Sequence, residues 1–259
     1  MTITSEQNPR LKALRRLHTK RGRAQAGVFS AEGEDLIAAA EHAGRPAIEG
    51  YRLAGTSIGD GHFVDVDEPA LAAASTLGSG TRAIGVYEQR WSAEPIGPLC
   101  VYLHGLRDPG NVGAVLRAAH AFGASCVALG PDCADPHAPK AVRASMGTIF
   151  AVALARARDT AELPGARVAL VAGAGEPLAE VSARIGEEPL TLLVGAEREG
   201  LPEEVVQACE HVAQIPILGE SLNAAMAATV ALYETTRSSS GAWLTSTGVQ
   251  RTSTRVRPT

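Results

Sequence analysis

Apolar runs that are continuous rather than alternating recur through the carboxyl-terminal part of the chain, at residues 99–103, 126–129, 149–155, 168–171, 190–194 and 212–218. A strand with no polar face must be covered on both sides, so these runs predict a mainly parallel sheet sandwiched between helices, an α/β fold. Helical patterns stand between them near residues 112–122, 140–146 and 221–234. Ligands of such sheets sit beyond the carboxyl ends of the strands, which directs attention to the loops there. Every run is far shorter than the roughly 18 apolar residues that a membrane span needs, so no membrane partner is expected.

The chain carries a net charge of −4, yet its cations are unevenly spread. Arg10, Lys12, Arg15, Arg16, Lys20, Arg21 and Arg23 lie in one stretch whose only acid, back to the first residue, is Glu6. A concentrated cationic segment on an acidic body is either a docking surface for a polyanion or a solvated helix face, and charge alone leaves both open. Pro9 with Leu11, Leu14 and Leu17 at helical spacing predicts one amphipathic helix that ends near Gly22. A strand at 28–31, a helix at 34–43 and strands at 51–54, 62–66 and 82–87 complete a small α/β unit. Pro95, Gly97 and Pro98 break all periodicity in the segment before residue 99. The expected division is therefore a domain at 1–90, a linker at 91–98, a second domain at 99–236, and a disordered Ser/Thr-rich tail at 237–259. The polar amino terminus lacks an apolar secretion segment, which gives a cytoplasmic expectation. Cys100, Cys126, Cys133 and Cys209 form no C-x-x-C pair, and His104, His120, His137 and His211 lack ligand spacing, so neither a disulfide framework nor a metal site is expected.

Three loops at strand ends carry residues that a core does not require. In the first, Val112, Val115, Leu116, Ala119 and Phe122 form one helical stripe and Arg117 lies away from it, one turn beyond Gly113 on a small-residue flank open to a ligand or a second subunit. Asn111 at the start of that helix is a cap or a ligand-facing group. In the second, Gly195 and Gly200 bracket Glu197, Arg198 and Glu199 directly after a strand. In the third, Ile215-Pro216-Ile217-Leu218-Gly219 leads to Ser221, Leu222 and Asn223, with Ser221 placed to cap the last helix.

Together these segments resemble the signature motifs of the SpoU/TrmH branch of the SPOUT methyltransferases, which methylate ribose 2′-hydroxyls in RNA. The first motif is carried by Asp108, Pro109, Asn111, Gly113, Ala114, Arg117 and Ala119, followed by Ala121 to Gly123. The second is carried by Gly195, Glu197, Gly200 and Leu201, and the third by Ile215, Pro216, Ile217, Gly219, Ser221, Leu222 and Asn223. The segment Arg143 to Gly147 is similar to the family's connecting piece, and Asn8-Pro9, Phe29 and Glu32-Gly33 are similar to the L30e-like substrate-binding domain often fused to these enzymes.

The resemblance implies a deep trefoil knot, which no fold prior would suggest, with the chain from Gly195 to Asn223 threaded through a loop. It implies S-adenosylmethionine as cofactor, held by Gly195, Ile215, Ile217, Gly219 and Leu222, and catalysis by Arg117, Asn111, Glu197, Ser221 and Asn223. Arg117 would orient a substrate phosphate and the 2′-oxygen, the hydroxyl proton passing to Arg117 or to that phosphate. A homodimer is implied, with Arg117 approaching the other subunit's cofactor, and the cationic stretch from Arg10 to Arg23 would bind structured RNA, first of all 23S ribosomal RNA. A transfer-RNA 2′-O-methyltransferase, or a catalytically silent knotted RNA-binding protein, is the alternative. A nicotinamide-dependent enzyme is disfavoured because no G-x-G-x-x-G follows the first strand of the second domain.

Overall fold

The continuous apolar runs become fully buried strands. The computed structural model describes residues 2–59, 62–77, 80–219 and 221–238; of the expected tail, residues 239–259 lie outside these. The amino-terminal unit contains α1 (Pro9–Arg16), α2 (Lys20–Ala26), β1 (Val28–Glu32), α3 (Glu34–His42), β2 (Glu49–Leu53), β3 (Phe63–Val66), α4 (Glu68–Ala74) and β4 (Ala83–Glu88). Its sheet has the order β1-β4-β2-β3. The carboxyl-terminal unit follows with β5 (Leu99–Leu103), α5 (Pro109–Ala121), β6 (Cys126–Leu129), α6 (Pro139–Ala144), β7 (Ala153–Arg156), β8 (Ala166–Leu170), β9 (Glu176–Pro177), α7 (Leu178–Ile185), β10 (Leu190–Val194), α8 (Glu203–Gln207), β11 (His211–Gln214) and α9 (Ala224–Ser238). Its seven strands are ordered β7-β6-β5-β10-β8-β11-β9, and every pairing is parallel. Both faces are covered. Leu99, Val101, Leu103 and Leu192 pack with α5 and α9, while Cys100, Tyr102 and Leu193 pack with Val205 of α8 and Leu163.

Three expected elements are corrected. The single cationic helix is two helices. Its leucine stripe is real, for Leu11, Leu14 and Leu17 pack on Ala70, Leu71 and Ala74 of α4. The chain nevertheless turns after Arg16, because the Thr19 hydroxyl donates to the Arg16 carbonyl (3.0 Å) and accepts from the Gly22 amide (3.1 Å), starting a new helix. Gly22 makes that turn possible rather than ending anything, since a Cβ there would lie 1.9 Å from the Arg16 oxygen. The run at 149–155 splits into a short 3-10 turn, Thr148–Phe150, and β7, while the run at 212–218 is strand only as far as Gln214.

The segment expected as a linker is pinned down. The Ser92 amide donates to the Leu154 carbonyl (2.7 Å) and the Leu190 amide to the Pro98 carbonyl (2.8 Å), and Trp91 lies against the core. One apolar cluster runs from Phe29, Leu36 and Tyr87 of the first unit into Val142, Phe150 and the second sheet. Arg23 bridges the same seam and is corrected from the RNA-contacting set. Its side chain is 3% exposed, pairs with Asp135 at 2.7 Å and donates to the Leu17 carbonyl at 2.7 Å. A second polar bridge runs from Arg143 to the Thr76 hydroxyl (2.9 Å), which itself donates to the buried Glu32 carboxylate (2.5 Å).

Gly113 is also corrected. Its flank of α5 is taken up by α6, and a Cβ there would meet the Ala141 carbonyl oxygen at 2.3 Å. Gly113→Ala is expected to force α5 and α6 apart and to lower unfolding free energy by about 1–3 kcal/mol in urea titrations. An unchanged midpoint would show that the helices separate freely.

Candidate active site

The first loop leaves β5 and enters α5 through Asp108, whose carboxylate accepts from the Gly110 amide (2.7 Å) and from Lys140 Nζ (2.8 Å). The Lys140 hydrogen bond, helped by the Gly110 amide, holds that carboxyl below its ordinary pKa. With Asp108 capping the helix, Asn111 is released from that duty and its side chain reaches elsewhere. Asn111 Nδ2 donates to Glu197 Oε1, and Asn111 Oδ1 accepts from Asn223 Nδ2 at 3.2 Å. Asn223 in turn accepts from the Ala225 amide (3.0 Å) and the Met226 amide (3.3 Å). The cap of α9 is therefore Asn223 and not Ser221. A single polar chain, Glu197–Asn111–Asn223, ties the three loops together.

Glu197 stands on a closed loop after β10. Ala196 and Gly200 exchange two backbone hydrogen bonds, of 3.2 and 3.0 Å, with Gly200 at φ +68°. Gly195 lies so close beneath that a Cβ would meet the Gly200 carbonyl carbon at 2.2 Å. These glycines close the loop on itself, and residues 197–199 face outward from it.

Beyond the carboxyl ends of β8, β10 and β11 lies a cleft of about 250 Å³. Of the sequence-predicted residues, Gly195, Glu197, Ile215, Ile217, Ser221 and Leu222 line it. Gly219 does not. The sequence reading missed Leu170, Val171, Ala172, Arg198, Ala224 and Ala227, which also line it. The first three were marked only by following the run at 168–171, whose carboxyl end opens here. Asn111 and Asn223 adjoin the cleft through Glu197. Arg117, on the outer face of α5, is exposed, lies outside the cleft and has no hydrogen bond or ion pair among the described residues. Of the cationic stretch, Arg10 pairs with Glu49 at 3.6 Å and Arg15 donates to the Glu6 carbonyl at 2.8 Å. Lys12, Arg16, Lys20 and Arg21 are exposed to solvent. Among the described residues no group of three or more His, Cys, Asp or Glu is placed to hold a metal ion, and no helix is long and apolar enough to cross a membrane.

A doubly covered parallel sheet with a ligand-sized cleft at its strand ends, rimmed by interlocked polar loops, defines an α/β protein built around a small molecule. The profile of the SpoU rRNA methylase family matches residues 98–233. An uncharacterized tRNA/rRNA methyltransferase of Synechocystis is 32% identical over 91% of this chain and 93% of its own. The 23S rRNA (guanosine(2553)-2′-O)-methyltransferase RlmP of Bacillus subtilis is 28% identical over 89% and 97%. The crystal structure of the AdoMet-bound rRNA methyltransferase from Sinorhizobium meliloti superposes with a TM-score of 0.80 at 31% identity, covering 92% of this chain and 97% of that one. The chain belongs to the SpoU rRNA methylase family.

Proposed function

We propose that this protein transfers the methyl group of S-adenosylmethionine to a ribose 2′-hydroxyl in 23S ribosomal RNA. The observation that carries the reading is the hydrogen-bonded chain from Glu197 through Asn111 to Asn223, which gathers three sequence-distant motifs at the mouth of one cleft. The named activity of the Bacillus subtilis relative, matched over nearly its whole length, supports the ribose oxygen as acceptor and ribosomal RNA as substrate.

The cleft fits the cofactor chemically. Val171, Val194, Ile215 and Leu222 offer apolar walls for an adenine, and Glu197 and Ser221 offer polar groups at the rim. S-adenosylmethionine supplies an electrophilic methyl carbon on a positively charged sulfur. Glu197, held by Asn111, sets a negative charge beside that rim, and Asn223 fixes the start of α9 next to it. Arg117 presents a rigid fork of N–H donors suited to a phosphate and the neighbouring 2′-oxygen. Because Arg117 lies outside its own cleft, the arrangement is completed by a second copy of the chain. Met226, Val230 and Tyr233 support this, forming an exposed apolar stripe at helical spacing along α9.

The amino-terminal unit is read as an L30e-like substrate-binding domain, with residues 91–98 as the join, and its Lys12, Arg16, Lys20 and Arg21 as phosphate contacts. Residues 195–223 are read as the threaded part of a trefoil knot. Pulling the unfolded chain from its two ends is expected to stop short of the roughly 3.3–3.6 Å per residue of a free chain; reaching full contour refutes the threading. A cytoplasmic setting suits a ribosomal substrate.

Methyl transfer from labelled donor to unmodified ribosomal RNA transcripts, followed by nucleotide mapping, tests the whole reading, and a label on a base rather than a ribose overturns it. Gly195→Ala is expected to weaken S-adenosylmethionine binding at least about tenfold, near 1.4 kcal/mol by calorimetry, because the added methyl opens the 196–200 loop. Unaltered affinity would remove that loop from the cofactor site.

A further inference from the structure

Ser145, Met146 and Gly147 form a turn that is over-determined on both sides and strained in the middle. Ser145 is fully buried, its hydroxyl donates to the Val142 carbonyl at 2.7 Å, and its backbone lies against Gly113 of α5. Gly147 is wedged against Ala39 of α3, where a Cβ would come within 2.3 Å of the alanine methyl. Between them Met146 is held at φ +50°, a left-handed conformation that an unbranched apolar residue has no local reason to adopt. Its side chain is 56% exposed. The only other non-glycine residue with positive φ among the described residues is Asp132, a type that tolerates it.

The location of this turn gives the strain a meaning. α6 runs alongside α5 in the same direction, because Lys140 meets Asp108 at the start of α5 and Ala141, Ala144 and Ser145 meet Gly113 further along. The chain at Met146 therefore lies just past the contact with Gly113, and Arg117 follows Gly113 by one turn of α5. An exposed, polarizable thioether on a rigid, strained support is suited to lie against the face of an unstacked base. Resting on the function proposed above, we infer that Met146 is a binding residue for the target nucleotide, contacting its base while Arg117 engages its backbone.

The experiment uses the full chain, S-adenosylmethionine and unmodified 23S transcript. Met146→Gly relieves the left-handed strain, so its melting temperature is expected to stay level or rise by up to about 3 °C. Its KM for the transcript is expected to rise roughly fivefold with kcat within about twofold, the loss of one apolar side chain–base contact. Met146→Leu keeps an apolar contact at the same backbone and is expected to retain most of the wild-type KM. Stability that holds while RNA recognition falls separates binding from a merely structural role. An unchanged KM in Met146→Gly overturns the inference, as does an equal loss in Met146→Leu. Dissociation of the assembly in sedimentation of Met146→Gly also overturns it, by assigning the residue to a subunit contact. A wild-type chain inactive on the transcript instead overturns the proposed function, a failure visible before any variant is made.

Discussion

Arg117→Ala is expected to lower methyl transfer roughly 10²–10³-fold, the loss typical of removing one preorganised charged donor, with folding and S-adenosylmethionine affinity unaltered. The separation follows from the structure. Arg117 is exposed and partnerless among the described residues, so its truncation leaves no buried group unpaired. It also lies outside the cleft, so the cofactor site should not register its loss. Arg117→Lys is expected to recover little, because one ammonium cannot reproduce two fixed N–H directions; near-full turnover in that variant would defeat the assignment. The proposed two-subunit arrangement has a sharper consequence. At a limiting S-adenosylmethionine concentration, where Arg117→Ala and Gly195→Ala chains are each reduced to about a tenth of wild type or less, mixing them should restore about a quarter of wild-type turnover, since half the dimers would be mixed and each would carry one intact site. No recovery on mixing would place both residues in one subunit's site.

Arg23→Ala is expected to destabilise the fold by about 3–5 kcal/mol, measured by denaturant titration, because it strands a partly buried carboxylate. The paired change Arg23→Met with Asp135→Leu should regain most of that, and if it is as damaging as the single change then the ion pair is not the source of the effect. The pH dependence has a definite sign. Burial opposes ionisation of Asp135, but hydrogen bonds from His137 and Arg23 outweigh it and leave the carboxyl well below its ordinary range. A group whose folded pKa lies below its unfolded one stabilises fully above the unfolded value, near 4, and loses that contribution as pH falls toward the folded one. The advantage of wild type over Asp135→Asn should accordingly shrink below about pH 4. His137, buried between Phe29 and Trp91, acts in the same direction. Burial holds its pKa below the ordinary value, so unfolding takes up a proton and stability declines as pH drops below about 6.5. A flat stability profile from pH 7 to 4 would contradict the statement on His137, and a wild-type advantage over Asp135→Asn undiminished well below pH 4 would contradict the one on Asp135.

The strands were legible because burial on both faces leaves its mark in composition, and the cleft was legible because parallel sheets put their ligands at strand ends. Period alone misled where a stripe continued across a break. Leu17 keeps the helical phase of Leu11 and Leu14, yet the helix stops before it. The clue was Thr19, which caps the second helix. Charge located the cationic segment but said nothing of burial, so Arg23 was grouped with its exposed neighbours. Gly113 showed that close approach was required without showing by what, and the visitor is α6. The link from Asn111 to Glu197 and Asn223 joins positions 86 and 112 residues apart, beyond any local pattern. Its parts were recognisable only through their resemblance to family motifs.

The seam between the two sheets is packed with Phe29, Tyr87 and Phe150 and bolted by Arg23, and the expected linker lies flat against it. On the proposed function, the first unit would work as a gauge rather than a tethered hand. Anything gripped by Lys12 and Arg16 lies at a set separation from the cleft, and only a polyanion whose own shape spans that interval can satisfy both ends at once. Selectivity would then reside in the length of a rigid object, and short linear fragments of a true substrate would be refused however well their sequence matched.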